Sequence, residues 1–178
     1  SDLGKKGIQV TTHTSVVEIN DNRQVCFDNG SELNADLIIT VPKHVAPRLV
    51  KDAGLVGPSG WVDVASDNLM SNYDSVYAIG DVNNVAMANG RGLPKAGIFA
   101  SSGGKVVGHN IAAQILDGEP KIFPGIGECF IGFGGNMGGI VRGDFLAETK
   151  PNVKYHRPSH RGYLAKEKFE NKWRRFRI

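Results

Sequence analysis

The stretch Val76-Tyr77-Ala78-Ile79-Gly80-Asp81-Val82, followed after a polar loop by Leu93-Pro94-Lys95-Ala96-Gly97, decides how the chain is read. Val76 to Ile79 predicts a strand, because β-branched and aromatic residues suit a pleated, half-buried surface. Gly80 closes it and lets the backbone approach a ligand, while Asp81 presents a carboxylate able to accept hydrogen bonds from sugar-alcohol hydroxyls. Pro94 suits a first helical turn, and a helix opening there offers free N–H groups and partial positive charge to an electron-rich group. Phe99, Gly103, Val106, Val107, Asn110 and Gln114 recur along one side, and the helix should end near Asp117-Gly118. Gly103 and Gly104 each cost about 1 kcal/mol of helix propensity, which predicts close packing against a neighbouring backbone. Taken alone, a strand ending in Gly-Asp is equally an ordinary strand-to-loop turn.

Upstream, Ile8 to Thr12, Ser15 to Asn20, Gln24 to Asp28 and Ser31 to Leu33 predict short antiparallel strands in a meander, with Asn29-Gly30 supplying two positive φ angles at a turn. Asp36-Leu37-Ile38-Ile39-Thr40-Val41 reads as a strand covered on both faces, stopped by Pro42. Pro47 to Ala53 predicts a short helix closed by Gly54, and Trp61 to Val64 a short strand. Downstream of Pro120, Glu128 to Phe133 and Gly139 to Phe145 predict paired strands around a glycine-rich turn. Leu164 to Phe176 then reads as a basic amphipathic helix.

A chain of 178 residues with 40% apolar residues has enough material to bury a core, as one domain or two small ones. It opens on Ser1 rather than methionine and enters strand-like sequence almost at once, which reads as a chain cut from a longer one. No apolar run approaches the roughly 20 residues of a membrane-spanning helix. Cys26 and Cys129 are too far apart in sequence for a C-x-x-C pair, and the five histidines have no ligand spacing, so no metal site is expected. Residues 150–178 hold ten Lys/Arg and two Glu, against eleven Lys/Arg and sixteen Asp/Glu elsewhere. That basic end suits an anionic membrane surface or an acidic partner, or is simply a solvated helix. Nucleic acid is not expected, since the tail carries no recognised motif and its aromatics are not spaced as a stacking platform.

The order of these pieces resembles the carboxy-terminal half of the pyridine nucleotide-disulfide oxidoreductase superfamily. Asp36 to Pro42 is similar to the end of its nicotinamide-binding domain, Ala53-Gly54-Leu55 to its linker, Val76 to Val82 to its second FAD-binding motif, and Leu93 through Ala113 to the helix that follows. Gly125 to Arg142 is most similar to the branch of sulfide:quinone oxidoreductase and flavocytochrome c sulfide dehydrogenase. The resemblance implies an α/β fold, α+β as a fragment: residues 1–60 from a nicotinamide-type domain, 61–118 returning to the FAD-binding domain, and 119–178 a β-hairpin with a basic helix.

It implies an FAD-dependent enzyme that passes electrons from sulfide to a quinone or other acceptor. Gly80 and Asp81 would hold the ribityl or phosphate region of FAD, and Pro94, Lys95 and Ala96 would lie at the pyrimidine end of its ring. Cys129 would be a redox cysteine requiring a thiolate, although a lone cysteine in such a strand also serves as core filler. Phe130, Ile131 and Phe133, with Met137, would form an acceptor pocket, or equally the core of a small β unit. Trp173, Arg174, Arg175 and Phe176 would rest on a membrane or a partner. The fingerprint G-x-G-x-x-G is absent, so FAD would have only half a site here, and an amino-terminal partner segment is expected. The fragment alone should be inactive. NAD(P) has no support within the chain, and the resemblance leaves a homodimer open. Location would be cytoplasmic, peripheral to a membrane, or periplasmic. The rival readings are a nicotinamide-dependent quinone reductase, for which Cys129 is dispensable, and a non-catalytic interaction module.

Overall fold

The computed structural model describes residues 3–175; Phe176, expected at the membrane or partner surface, lies outside the described residues. The chain forms two compact units, residues 1–44 and 45–178. The boundaries expected at 60 and 118 come from the family resemblance and are a different division from these units.

The first unit is the expected meander: β1 (Val16–Ile19), β2 (Gln24–Phe27) and β3 (Glu32–Asn34), all antiparallel in the order β1-β2-β3. The turn between β2 and β3 is closed by the Gly30 N–H donating to the Phe27 carbonyl at 3.0 Å. Only Gly30 there has a positive φ, +79°; Asn29 instead uses its side-chain oxygen to accept from the Ser31 N–H and hydroxyl. The strand expected over Ile8 to Thr12 does not form, and neither does the one over Asp36 to Val41. Leu37, Ile39 and Val41 are 76%, 85% and 84% exposed. A parallel strand is stable only between neighbours that take its backbone hydrogen bonds and cover both faces. Among the described residues, no strand pairs with this segment.

In the second unit α1 (Arg48–Asp52) ends at Gly54, whose φ of +70° suits the residue that turns a chain out of a helix. Strands β4 (Val62–Val64) and β5 (Asn83–Val85) then pair in parallel. β5 lies inside what the sequence reads as a polar loop, because its two asparagines mask a three-residue strand. Val76 to Ile79 is extended but reduced to a single bridge, Met70 to Tyr77, with the Ala78 N–H donating to the Leu69 carbonyl.

Helix α2 (Gly97–Ile115) buries Phe99, Gly103, Val106, Val107, Asn110 and Ala113. Gln114, expected on that side, is exposed, and Ala113 takes its place. Its helix begins at Gly97 rather than at Pro94, which lies in the lead-in. A Cβ at Gly103 would sit 2.8 Å from Leu69 Cδ1 and 3.8 Å from Ile79 Cγ2, so the close approach is to side chains rather than to backbone. Asp117 turns left-handed and the Gly118 N–H closes the helix end on the Ala113 carbonyl at 2.8 Å. Asn110 then ties down the next segment, donating to the Lys121 carbonyl at 2.9 Å and accepting from the Lys121 N–H at 2.7 Å.

Strands β6 (Ile126–Gly134), β7 (Met137–Asp144) and β8 (Asn152–Ser159) form an antiparallel sheet in that order. Gly135 and Asn136, both at φ +57°, make the two-residue turn between β6 and β7. β8 escapes sequence reading because Lys154, His156, Arg157 and Pro158 hide its strand character; cations and proline are usual on an edge strand. Helix α3 (His160–Arg174) starts four residues before the expected Leu164, capped by the Ser159 hydroxyl, which accepts from the Gly162 N–H at 3.0 Å.

Phe99 of α2 packs edge-on against Phe145 beyond β7, with ring centres 5.1 Å apart, and it covers Gly127 where no Cβ would fit. These rings join Leu69, Val85, Val106, Val107 and Phe123 in one core shared by α2 and the sheet.

Candidate functional site

The site is built where β5, the turn before it and the start of α2 converge. Ile79 is extended, and Gly80 at φ +75° swings the chain into a 3-10 turn, Gly80–Val82. The Asn83 N–H donates back to the Gly80 carbonyl, and the Asn83 side chain donates to the Ala78 carbonyl at 2.9 Å. Glycine is needed here because other residues strain at such a φ. A Cβ at Gly80 would meet only Ala100 Cβ, at 3.7 Å, so conformation rather than crowding selects it.

The expected cofactor residues come together. Gly80, Asp81, Pro94, Lys95 and Ala96 line one small cavity of about 10 Å³, room for about one water, with Asn83, Leu93 and Ala100. Asp81 is exposed, and its carboxylate has no hydrogen-bond or ion-pair partner among the described residues. No side chain caps α2. Its hydrogen-bonded donors begin with Phe99, whose N–H reaches the Ala96 carbonyl at 3.0 Å, so those of Gly97 and Ile98 stand outside the helix's own hydrogen bonds. Space beside Gly97 is open.

Lys95 is held by two groups that sequence reading missed. Its Nζ donates to the Asn83 carbonyl at 2.7 Å and lies 4.0 Å from the centre of the Trp61 ring. Burial pushes its pKa below the usual lysine value, and the nearby Asp81 charge opposes that shift. Trp61 is far from Lys95 in sequence, and no periodicity joins them. Beneath, Asp63 accepts from the Asn84 side chain at 2.7 Å. Burial raises the Asp63 pKa, but hydrogen bonds from Ser59 and Asn84 outweigh it and hold the carboxyl below its usual value.

Next to the helix start an open groove of about 630 Å³ runs along the edge of β6 to α3, lined by Ala96, Ile98, Cys129, Phe130, Phe169 and Trp173 among others. Cys129 and Phe130 therefore stand beside the α2 start, as does the Trp173–Arg174 end of α3. Phe130 packs on Phe169 at 5.2 Å between ring centres. Ile131 and Phe133 do not reach the groove. The groove takes Glu128, Cys129 and Phe130 of β6 and stops short of Ile131, and Phe133 lies in the bulged end of β6, against Gly139. Met137 is exposed at the turn. Burial, and then the neighbouring Glu128, push the Cys129 thiol up, opposite to the depression a resting thiolate needs. Glu128 is paired with Arg142 across the strands. Arg175 closes the end of α3 and is exposed. Among the described residues no group of histidine, cysteine and carboxylates could hold a metal.

Residues 1–103 match a family model described as pyridine nucleotide-disulphide oxidoreductase. The chain is 37% identical over 92 residues to trypanothione reductase of Leishmania donovani, across 48% of this chain and 18% of that protein. Among solved structures it is similar to the sulfide:quinone oxidoreductase of the hyperthermophilic bacterium Aquifex aeolicus, with TM-score 0.73 and 20% identity, over 96% of this chain and 42% of that one. It is also similar to an NAD-dependent persulfide reductase from A. fulgidus, with TM-score 0.61 and 23% identity, over 86% of this chain and 32% of that one. The chain thus spans less than half the length of each of these relatives. At such identities the two structures speak for the fold, and the fold is the α/β one expected. With more than half of its residues matched by the family model, the chain belongs to the pyridine nucleotide-disulphide oxidoreductase family.

Proposed function

We propose that this chain is the carboxy-terminal part of an FAD-dependent oxidoreductase that takes electrons from sulfide and passes them to a quinone. The observation that carries the reading is the convergence of Gly80, Asp81, Lys95 and the uncapped α2 start on one cavity, next to a groove holding Cys129. These residues fit a flavin dinucleotide: an unpaired carboxylate suits a polyol, and free N–H groups with an ammonium suit an electron-rich ring edge. FAD, when bound, supplies the two-electron chemistry.

Within that chemistry Asp81 binds and orients the sugar-alcohol chain, and Gly80 provides the turn that points it outward. Lys95 and the Gly97 and Ile98 N–H groups stabilise negative charge at the ring edge, which favours the reduced cofactor. Phe130, Phe169 and Trp173 form an apolar wall that suits a quinone. An amino-terminal segment bearing G-x-G-x-x-G completes the cofactor site, and this chain alone is inactive. The basic end of α3, Trp173 to Arg175, rests on an anionic membrane surface, so the whole protein is peripheral to a membrane. Among the described residues no helix is long and apolar enough to cross one.

A second reading, a nicotinamide-dependent quinone reductase, is favoured by the raised Cys129 thiol. Replacing Cys129 by Ser in the FAD-loaded whole protein separates the two. Sulfide-dependent flavin reduction falling by about 100-fold or more, the scale of losing a transition-state group, supports the first. Unchanged reduction by NADH, with no response to sulfide before or after the substitution, supports the second.

A further inference from the structure

Lys95 sits in the lead-in to α2, where a long flexible cation would ordinarily sample many rotamers in water. Here two groups from adjacent strands restrain it. Trp61 immediately precedes β4, and Asn83 opens β5; the parallel register sets Val62 opposite Asn83, so ring and carbonyl are presented together. The Lys95 ammonium lies 4.0 Å from the Trp61 ring centre and donates to the Asn83 carbonyl at 2.7 Å. Tryptophan is the strongest aromatic partner for a cation, and the ammonium has three N–H bonds, of which the carbonyl takes one.

We propose that Trp61 is a positioning residue, whose ring, with the Asn83 carbonyl, fixes the Lys95 ammonium at the Gly80–Ala96 cavity so that its remaining N–H bonds serve an electron-rich edge of the bound ligand. The choice of ligand rests on the flavin reading above; the holding of Lys95 does not. Trp61 touches no ligand and acts only through Lys95. Without the ring, the ammonium swings into water and its field at the cavity weakens.

Two readouts test this. In the flavin-free chain, ring current from Trp61 should move the Lys95 ε-methylene proton resonances upfield. Trp61→Leu should return them to ordinary lysine positions, and Trp61→Phe should keep a smaller shift. In the FAD-loaded protein, Trp61→Leu should lower the flavin midpoint potential by about 30 mV, the equivalent of a tenfold loss of preference for the reduced form in a two-electron couple. Trp61→Phe should restore much of it, and Trp61→Leu should add nothing to Lys95→Met. Absence of the upfield shift in the unaltered chain would overturn the proposal. So would a potential that stays constant when the shift is abolished, or one that falls equally on the Lys95→Met background. Failure of the whole protein to bind FAD, with the upfield shift present, would instead refute the flavin reading and the ligand assigned here.

Discussion

Replacing the adjacent glycines of α2 by alanine, one at a time, should move stability in opposite directions. Alanine in a helix interior is worth about 1 kcal/mol over glycine, and both variants gain this. At Gly104 the new methyl meets Ile79 Cδ1 at 3.6 Å, an ordinary contact, so the gain survives. At Gly103 it meets Leu69 Cδ1 at 2.8 Å. Leu69 is 1% exposed and sits in the shared core, so its methyl has nowhere to go. Overpacking a tight core costs about 1–3 kcal/mol, which cancels or exceeds the helix gain. Gly104→Ala should therefore raise the midpoint of thermal unfolding by about 3 °C, and Gly103→Ala should leave it unchanged or lower it by a few degrees. Circular dichroism at the helix band, with heating and in urea, measures both. A Gly103→Ala protein more stable than Gly104→Ala would refute the placement of α2 against Leu69 and Ile79, and with it the position of the α2 start at the cavity.

Other outcomes follow from the electrostatics. Asp63 has a depressed folded-state pKa, so its stabilising contribution is fully present above the unfolded value of 3.8 and is lost as pH falls through the folded one. Urea unfolding from pH 6 downward should show Asp63→Asn flattening the acid loss of stability below about pH 4; an unchanged pH profile would contradict the Ser59–Asp63–Asn84 network. The raised Cys129 thiol predicts alkylation by iodoacetamide at pH 7.5 several-fold slower than that of a free cysteine peptide. Glu128→Gln should speed it, and a rate faster than the peptide's would show a thiolate that the structure does not provide.

The site was legible where a residue's chemistry is carried by its own identity. Gly80 announces a positive φ, Asp81 a free carboxylate, and Pro94-Lys95-Ala96 a helix entrance, and all five line one cavity. Long-range partners were not legible. Trp61 and Asn83 reach Lys95 through the pairing of two three-residue strands, and one of these, Asn83–Val85, reads as loop because asparagine dominates it. β8 was hidden in the same way by the cations that protect an edge. Asp36 to Val41 failed for the opposite reason. Its apolar residues signal a buried strand clearly, but a strand needs neighbours, and Leu37, Ile39 and Val41 stand exposed. Ile131 and Phe133 are apolar like Phe130, and only their positions farther along β6, past the end of the groove, separate them from it.

The central claim is that Gly80, Asp81, Lys95 and the α2 start are one side of a flavin site completed by an amino-terminal segment. Titration with FAD, followed by visible absorbance and flavin fluorescence, tests it most directly, on this chain and on the same chain joined to an amino-terminal segment bearing G-x-G-x-x-G. The account predicts weak or no binding by the chain alone, tight binding by the joined protein, and at least a tenfold weakening on Asp81→Ala, the loss of one charge-assisted hydrogen bond. A folded, joined protein that stays colourless, or one that binds FAD equally well with Asp81→Ala, would contradict it.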